Sequence, residues 1–345
     1  MKPIKITTTQ LPTILDIRWL PNNVCNYACR YCHPHSHDGD YGSPKDLELI
    51  IKNFNHLARE YREKLGKTVI HLKLAGGEPT LWKDLALFVE GVKKENDIYF
   101  TIISNGSRTI RWWKEYGHLI DNAHLTLHLE QGDVDHMIEV ADILHSLGKK
   151  TTVKVLMDPY QWDKGIEAVE YMKENSKEPW FIIVGEVQEP DNTLAGSIRV
   201  VTQEDKKYTP DQIAYMRDSR KRMPPTDWFE KNNFLFETGA IRINESIAHF
   251  PDGTVTEASP NYYLNNTWNS FKGWSCDVGL ESFSIHWDGN LKGSCGQKLF
   301  GLDYFYNILD QEFCEKFKVE NTPAICEYYN CGCQPENHIS KFKQS

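Results

Sequence analysis

The chain has 345 residues, of which 40% are hydrophobic and 25% charged, and this composition predicts a folded protein with a sizeable core and excludes disordered, collagen-like and coiled-coil classes. The formal net charge is −9, and no run of basic residues is dense enough to bind along the phosphate backbone of a nucleic acid. A long nucleic acid is therefore not an expected partner. No apolar stretch reaches the roughly 18 to 20 residues that span a bilayer, and residues 1–10 lack the apolar core of a secretory signal, so we expect a cytoplasmic protein without a membrane partner.

Residues 12–190 alternate short β-rich apolar runs with longer amphipathic segments, which is the pattern of βα units around a parallel sheet. Six such units predict an α/β fold, an open and incomplete (β/α)6 TIM-like barrel with its reactive residues at the C-terminal ends of the strands. The predicted strands are Ile14–Leu20, Val69–Leu74, Tyr99–Ile103, His124–Leu129, Thr152–Leu156 and Phe181–Val187.

Two further regions follow this predicted core barrel. Residues 191–272 combine Pro224-Pro225 with many aromatic residues and are interpreted as a connecting region on the substrate side, although packing explains the aromatic residues equally well. Residues 273–345 hold six of the nine cysteines and predict a small cysteine-rich C-terminal domain, in which Asp288-Gly289-Asn290 marks a tight hairpin turn.

The nine cysteines fall into two groups. Cys25, Cys29 and Cys32 lie in the loop after the first predicted strand, and no cysteine follows until Cys276. An odd number in this distribution does not indicate a disulfide framework, because a reducing cytosol favours metal ligation by thiolates. The sequence therefore predicts two separate thiolate sites.

The first group has C-x3-C-x2-C spacing. Iron–sulfur cubanes normally have four cysteine ligands, so a loop with three leaves one iron open to a substrate or cofactor. The spacing alone leaves a second interpretation, a closed zinc site in which a nearby histidine is the fourth ligand. The candidate histidines are His33, His35 and His37.

Three motifs, in this order, resemble those of the radical S-adenosylmethionine (radical SAM) superfamily. The cysteine loop carries an aromatic residue, Tyr31, directly before its last cysteine. Gly76-Gly77-Glu78-Pro79 follows the second predicted strand and resembles the GGEP motif of the superfamily, which meets the methionine amino group. Ser104-Asn105-Gly106 follows the third strand and resembles the segment that contacts the ribose. Matches at three consecutive strand ends favour the iron–sulfur interpretation over zinc.

The resemblance implies a definite chemistry. A [4Fe–4S] cluster on the three cysteines would bind S-adenosylmethionine at its open iron and pass one electron to the sulfonium, supplied by a reductant such as flavodoxin or ferredoxin. The resulting 5′-deoxyadenosyl radical would take hydrogen from a peptide or small-molecule substrate, while the protein binds and orients the reactants. The residues implied to contact S-adenosylmethionine are Tyr31, Gly76, Gly77, Glu78, Pro79, Ser104 and Asn105.

The second group of cysteines resembles the Twitch or SPASM type of C-terminal extension, which holds auxiliary iron–sulfur clusters. Cys276 and Cys295 flank the predicted hairpin, which would bring them side by side. The resemblance implies one auxiliary [4Fe–4S] cluster, completed by two of Cys326, Cys331 and Cys333; which two remains open. A zinc site with four cysteine ligands that braces a small domain is the alternative.

An auxiliary cluster favours oxidation or cross-linking of the substrate, because in relatives with such extensions it commonly takes an electron from the substrate radical or binds substrate. A radical isomerase, epimerase or group transferase is the alternative reaction. A zinc-stapled binding protein without catalysis is the alternative class.

Several other residues are weaker candidates. Arg30, inside the cysteine loop, either tunes the cluster or points into solvent. Cys314 lies between Phe313 and Phe317 on a predicted helix and is interpreted as a buried apolar residue. Six strand-end residues are more readily structural or surface residues than substrate contacts, because a one-residue slip turns a side chain to the other face. They are His128, Glu130, Lys154, Met157, Glu186 and Gln188.

Overall fold

The computed structural model describes residues 1–32, 37–187, 208–217, 220–222, 246–258, 263, 266–293, 295–329, 331 and 339–343. Four residues named above as candidates lie outside these ranges: His33, His35, Gln188 and Cys333. Within the described ranges, no helix is long and apolar enough to cross a lipid bilayer.

The strands of the described residues form two sheets. In chain order the strands are β1 (Lys5–Thr8), β2 (Ile14–Trp19), β3 (Val69–Leu74), β4 (Asp97–Ser104), β5 (Asn122–Leu127), β6 (Lys150–Met157), β7 (Phe181–Glu186), β8 (Arg220–Arg222), β9 (Ser246–His249), β10 (Val255–Ala258), β11 (Ser275–Cys276), β12 (Ser282–Ile285), β13 (Asn290–Lys292), β14 (Tyr306–Asn307), β15 (Ala324–Ile325) and β16 (Lys341–Phe342). The helices are α1 (Leu47–Leu65), α2 (Leu85–Lys93), α3 (Ile110–Tyr116), α4 (Val134–Ser146), α5 (Trp162–Asn175), α6 (Pro210–Arg217) and α7 (Phe313–Lys316).

The larger sheet has the order β14-β13-β12-β2-β3-β4-β5-β6-β7-β8. The strands from β12 through β2 to β7 run parallel, and antiparallel strands extend both edges. This confirms the predicted α/β fold, and β2 to β7 agree with the six predicted strands to within two residues at either end. Helices α1 to α5 lie between consecutive strands of this set, as βα units require.

One parallel strand was not predicted. β12 comes from the C-terminal region and pairs with β2, with Arg18 opposite Ser284. The hairpin turn at Asp288-Gly289-Asn290 is present and joins β12 to β13. The predicted boundary at residue 273 therefore does not separate the sheets, because the C-terminal region supplies an edge of the barrel.

The smaller sheet is antiparallel, in the order β10-β9-β1-β16-β11-β15. It combines strands from the N-terminus, from the predicted connecting region and from the C-terminal region. A small apolar core beneath it includes Ile6, Tyr263 and Phe271. Part of the predicted connecting region is thus a structural component of this second sheet.

The main core lies between the parallel strands and their helices. Leu15, Ile17 and Trp19 of β2 are buried there, and Trp19 contacts Phe54 of α1 and Phe88 of α2 with ring centroids 6.3 and 5.0 Å apart. Side chains alternate across a strand, so the residues between these apolar positions face the inside of the curved sheet. The inner face is consequently polar.

Helix α1 is well delimited by its own sequence. The side chain of Asp46 accepts a hydrogen bond of 3.0 Å from the amide of Leu49, as an N-cap does. Gly66 ends the helix with φ of 65°, a left-handed conformation that glycine adopts without steric cost. These caps fix where the chain leaves the cysteine loop and where it returns to β3.

Candidate active site

The cysteine loop lies at the C-terminal ends of β2 and β3. Its backbone pairs with the segment that follows β3: the amide of Gly77 donates to the carbonyl of Asn22 (3.2 Å), and the amide of Glu78 donates to the carbonyl of Val24 (2.8 Å). Two of the predicted motifs are therefore in direct backbone contact immediately before Cys25.

This contact explains both glycines of the second motif. A Cβ on Gly77 would lie 2.1 Å from the carbonyl oxygen of Val24, and one on Gly76 would lie 2.5 Å from that of Asn22. Gly76 also has a φ of 128°, which side-chain-bearing residues rarely adopt. The glycines allow the cysteine loop to approach β3, which is a structural requirement in addition to the predicted ligand contact.

Glu78 connects the second motif to the third. Its buried carboxylate accepts hydrogen bonds from the hydroxyls of Thr80 (2.6 Å) and Ser104 (2.8 Å) and from the amides of Thr80 (3.0 Å) and Asn105 (2.8 Å). Burial raises the pKa of this carboxyl group, against the lowering effect of its hydrogen bonds. These four hydrogen bonds hold the carboxylate of Glu78 between the ends of β3 and β4, and the buried Pro79 begins the turn that follows it.

Asn105 reaches the cysteine loop from the end of β4. Its side-chain amide donates to the side-chain oxygen of Asn26 (3.0 Å) and points at Cys25 Sγ (3.6 Å). The amide of Tyr27 donates to the same sulfur (3.3 Å). Hydrogen bonds of this kind tune thiolate ligands of metal clusters, so the surroundings of Cys25 fit that role.

The three cysteines lie close enough to interact electrostatically. Burial raises the pKa of Cys29 to about 11 and raises the pKa of Cys25, and the Cys32 thiol raises both further. Three adjacent thiols suit the binding of a metal centre, because its positive charge would compensate the negative charge that the thiols gain when they are deprotonated. Among the described residues, no three His, Cys, Asp or Glu side chains converge as tightly as the ligands of a single metal ion. A cubane fills the space between its thiolates and does not require that convergence.

Of the histidines offered as a zinc ligand, His37 is described. Its Nδ1 lies 2.8 Å from a carboxylate oxygen of Asp38, and its carbonyl accepts a hydrogen bond from the amide of Cys25. The side chain of His37 thus contacts Asp38, and its backbone is hydrogen-bonded to Cys25 within the loop.

Tyr31 lies inside the barrel rim. Its ring stacks on His128 at a centroid distance of 5.9 Å, and its hydroxyl is 3.0 Å from His128 Nδ1. Burial lowers the pKa of His128 to about 4, so this histidine is neutral near pH 7. The aromatic residue of the first motif therefore connects the cysteine loop to the end of β5.

Arg30 holds the other side of the loop. Its guanidinium pairs with Glu130 (2.8 Å), which follows β5, and with the buried carboxylate of Asp158, which follows β6. The backbone amide of Arg30 also donates to Glu130 (3.1 Å). Arg30 therefore anchors the loop to two strand ends. The sequence predicted instead that it either tunes the cluster or points into solvent. No sequence signal pointed to Asp158, because an isolated acidic residue before a proline is common in turns.

Four of the five described cysteines of the second group line one small cavity. Cys276, Cys295, Cys326 and Cys331 line it together with Lys341, and the eight described cysteines of the chain are not joined to one another by disulfide bonds. The four thiols come from three separate parts of the C-terminal region, and four thiols are the donor set of a zinc site or an iron–sulfur cluster. The cavity measures about 10 Å³, so a cubane would require the side chains to rotate outward.

Two details of the C-terminal prediction are corrected. Cys276 lies on β11 of the smaller sheet and not on a strand of the β12–β13 hairpin. Cys276 and Cys295 line the same cavity, but they do not face each other across the hairpin. Cys314 is half-buried and not fully buried, and its Sγ donates to Asn53 Oδ1 at 3.2 Å. It lies on α7, outside the cysteine cavity.

Comparison with known proteins agrees with this geometry. The profile of the Radical SAM superfamily matches residues 19–201, more than half of the chain. A solved structure of hexahistidine-tagged anSMEcpe with bound AdoMet aligns with 88% of this chain and 80% of that chain, at 16% identity and a TM-score of 0.50. At that identity the likeness concerns the fold.

Curated relatives match over shorter stretches. The probable GTP 3′,8-cyclase of Sulfurisphaera tokodaii is 29% identical over 154 residues, which are 43% of this chain and 45% of that protein. The GTPase Obg of Brachyspira hyodysenteriae is 32% identical over 108 residues, 30% of this chain and 15% of that protein. The chain thus spans less than half the length of these relatives.

Proposed function

The chain belongs to the radical SAM superfamily, and from this premise we propose that it binds a [4Fe–4S] cluster through Cys25, Cys29 and Cys32 and cleaves S-adenosylmethionine reductively. One observation carries the proposal: the cysteine loop is hydrogen-bonded both to the segment after β3 and to Asn105 after β4. All three motifs thus converge at one end of the barrel, where enzymes of this architecture bind their reactants.

The protein's own groups have distinct parts in this proposal. The cluster, when bound, supplies the electron and an iron that S-adenosylmethionine can ligate. Gly76 presents exposed backbone beside the loop, where a methionine amino group would lie. Glu78 and Ser104 hold that backbone in place through their hydrogen bond, and Tyr31 with Asn105 bounds the space for the nucleoside.

We place an auxiliary [4Fe–4S] cluster on Cys276, Cys295, Cys326 and Cys331, because these four line one cavity. Lys341 is 1% exposed and also lines the cavity, and its ammonium group would offset part of the negative charge of four thiolates. A second redox centre gives a substrate radical an electron acceptor, so the proposed outcome is oxidation or cross-linking of a peptide or small molecule. Flavodoxin or ferredoxin is the proposed class of reductant.

A redox-neutral cyclisation or rearrangement is the second candidate. It is favoured by the curated relatives, several of which are GTP 3′,8-cyclases. The two candidates differ in electron balance, because oxidation requires an acceptor for one further electron per turnover whereas rearrangement does not. Comparing the oxidation state of the product with that of the substrate separates them.

Metal analysis of anaerobically purified and reconstituted protein tests the two sites together. We expect about eight irons with matching sulfide per wild-type chain, and about four in both Cys29→Ala and Cys276→Ala. Cys314→Ala is the matched control, because this thiol lies outside both sites, and it should retain the wild-type iron content. Stoichiometric zinc with little iron would overturn the proposal and leave a zinc-stapled binding protein.

Formation of 5′-deoxyadenosine from S-adenosylmethionine and dithionite tests the radical site alone. The wild type and Cys314→Ala should form it, whereas Cys29→Ala should not. Cys276→Ala should retain the reaction if the auxiliary site acts only after hydrogen abstraction. Deoxyadenosine formation by Cys29→Ala at the wild-type rate would contradict the assignment of the ligands.

A further inference from the structure

The cavity of the C-terminal cysteines has a buried cation in its wall. Lys341 lies on β16, which pairs with β11 so that Lys341 is directly opposite Cys276. Residues directly opposite each other in an antiparallel pair project from the same face of the sheet, with Cβ atoms about 5 Å apart. Both side chains line the cavity together with Cys295, Cys326 and Cys331. Among the described residues that line it, Lys341 is the one with a cationic side chain.

The fold holds this ammonium group in a defined place. Lys341 Nζ donates a hydrogen bond of 3.0 Å to the carbonyl of Ile339, and it lies 5.4 Å from the ring centroid of Phe271, a distance at which a cation and an aromatic ring attract each other. The side chain is buried, and a buried ammonium group is unfavourable unless negative charge offsets it. The position of the charge beside the thiols is therefore a property of the folded chain.

Strand β16 is anchored at the residue that precedes Lys341. The carboxylate of Glu281 accepts hydrogen bonds from the amide and the hydroxyl of Ser340, both at 2.7 Å. The carbonyl of Ser340 accepts from the amide of Asp277 (3.0 Å), directly after β11, and its hydroxyl accepts from the amide of Thr8 in β1 (3.1 Å). These four hydrogen bonds fix β16 between its two neighbouring strands and keep Lys341 in register with the cavity.

Other charged groups lie near Lys341. Burial raises the pKa of Asp277 and of Glu281, and both Lys341 and Lys67 act against this rise by their charge. Two lysines and two carboxyl groups thus share this region. Lys67 Nζ donates to the carbonyl of Ile14 (3.1 Å), and Lys67 is not among the described residues that line the cavity. Lys341 is consequently the lysine of this group that borders the cysteines.

Lys341 acts electrostatically on at least one thiol of the cavity. Burial raises the pKa of Cys326, whereas the charge of Lys341 lowers it, and the exposed Glu327 acts in the opposite sense to Lys341 and more weakly. A positive charge that favours a thiolate over a thiol also favours the more negative state of a metal centre bound at the same place. For an iron–sulfur cluster, whose potential depends on the charges around it, the more negative state is the reduced one.

We propose that Lys341 raises the reduction potential of the auxiliary cluster and thereby sets how readily this cluster accepts an electron from the substrate radical. The inference rests on the proposed function, because it requires a cluster on the four cysteines. In the step concerned, one electron passes from the substrate radical to the oxidised cluster, and the substrate cation then releases a proton to solvent. A carrier of the flavodoxin or ferredoxin class removes the electron. Lys341 acts through its charge and is neither a ligand nor a catalytic residue.

An anaerobic redox titration followed by electron paramagnetic resonance tests this role. Cys29→Ala is the background, because the auxiliary cluster is then the remaining cluster of the chain. We expect Lys341→Met to lower the equilibrium constant for one-electron reduction about tenfold, a midpoint more negative by about 59 mV. Lys341→Gln, which keeps a donor for the carbonyl of Ile339, should show the same shift, and Lys341→Arg should retain the original midpoint.

Lys67→Met is the matched control. It removes a buried lysine that acts on the same two carboxyl groups but does not line the cavity, so the midpoint should not change. The same shift in Lys67→Met would overturn the inference, because it would show a general effect of lost positive charge. A purely structural role for Lys341 predicts a lower urea midpoint without a change in potential.

Three further outcomes would also overturn the inference. An unchanged midpoint in both neutral variants with full iron content would refute the inference alone. Loss of the cluster from Lys341→Met and Lys341→Gln, with retention in Lys341→Arg, would give Lys341 a role in cluster assembly in place of tuning. Zinc without iron in the Cys29→Ala protein would refute the auxiliary cluster itself, so metal analysis distinguishes failure of the proposed function from failure of this inference.

Discussion

The carboxylate of Glu78 accepts a hydrogen bond of 2.8 Å from the backbone amide of Asn105. This bond joins the ends of β3 and β4, two neighbouring parallel strands, and it fixes the segment after β3 relative to the residue that reaches Cys25. The geometry of the candidate cluster site therefore depends on a buried carboxylate outside the cysteine loop.

Glu78→Gln should destabilise the protein and weaken S-adenosylmethionine binding. The new amide group would meet N–H or O–H donors where the carboxylate accepted four hydrogen bonds, so at least one buried donor loses its acceptor. The expected loss is about 1–3 kcal/mol of the free energy of unfolding, measured by urea denaturation. Glu95→Gln, on the exposed surface, is the control and should show no loss. Equal stability of both variants would contradict the role given to Glu78.

Gly77→Ala should displace the cysteine loop. The added Cβ would lie 2.1 Å from the carbonyl oxygen of Val24, and no flexible side chain can move to relieve this backbone overlap. We expect a loss of about 1–3 kcal/mol and a loss of iron from the first site, measured by metal analysis after reconstitution. Gly42→Ala is the matched control because a Cβ there meets no atom within 4 Å, and it should reconstitute fully. A Gly77→Ala protein with full iron content would show that the loop tolerates the shift.

Arg30→Gln should loosen the loop from the ends of β5 and β6. The substitution removes ion pairs to Glu130 and to the buried carboxylate of Asp158, whose remaining described partners are the amide of Tyr160 and the side chain of Gln161. We expect a cost of about 1–3 kcal/mol and faster loss of iron to a chelator. Arg111→Gln removes an exposed i,i+4 pair instead and should leave both quantities unchanged.

His124 should make the protein less stable in mild acid. Burial lowers the pKa of His124 to about 4, whereas an unfolded histidine titrates near about 6.5. Between these values the unfolded chain binds more protons, so this contribution is complete above about pH 6.5 and is lost as the pH falls towards 4. From pH 7.5 to about 5, the wild type should lose about 1–2 kcal/mol more than His124→Gln, measured by urea denaturation. His118→Gln, at an exposed position, should lose as much as the wild type.

Local patterns in the sequence were sufficient to predict the barrel and the site on its rim. The alternation of buried apolar residues with helical segments predicted β2 to β7, because each βα unit buries its own apolar face. The three motifs each follow one of these strands, and parallel strands bring their C-terminal ends to the same edge. The convergence of Cys25, Glu78 and Asn105 thus followed from the order of the elements alone.

Pairings between distant parts of the chain were decided only by the tertiary structure. β12 lies beside β2 although more than 250 residues separate them, and a short strand carries no local signal that names its partner. The same holds for Cys276 and Cys326, which line one cavity, and for the ion pair of Arg30 and Asp158. Residue types and spacing predict which groups can carry chemistry, but the packing of the complete chain decides which of them are neighbours.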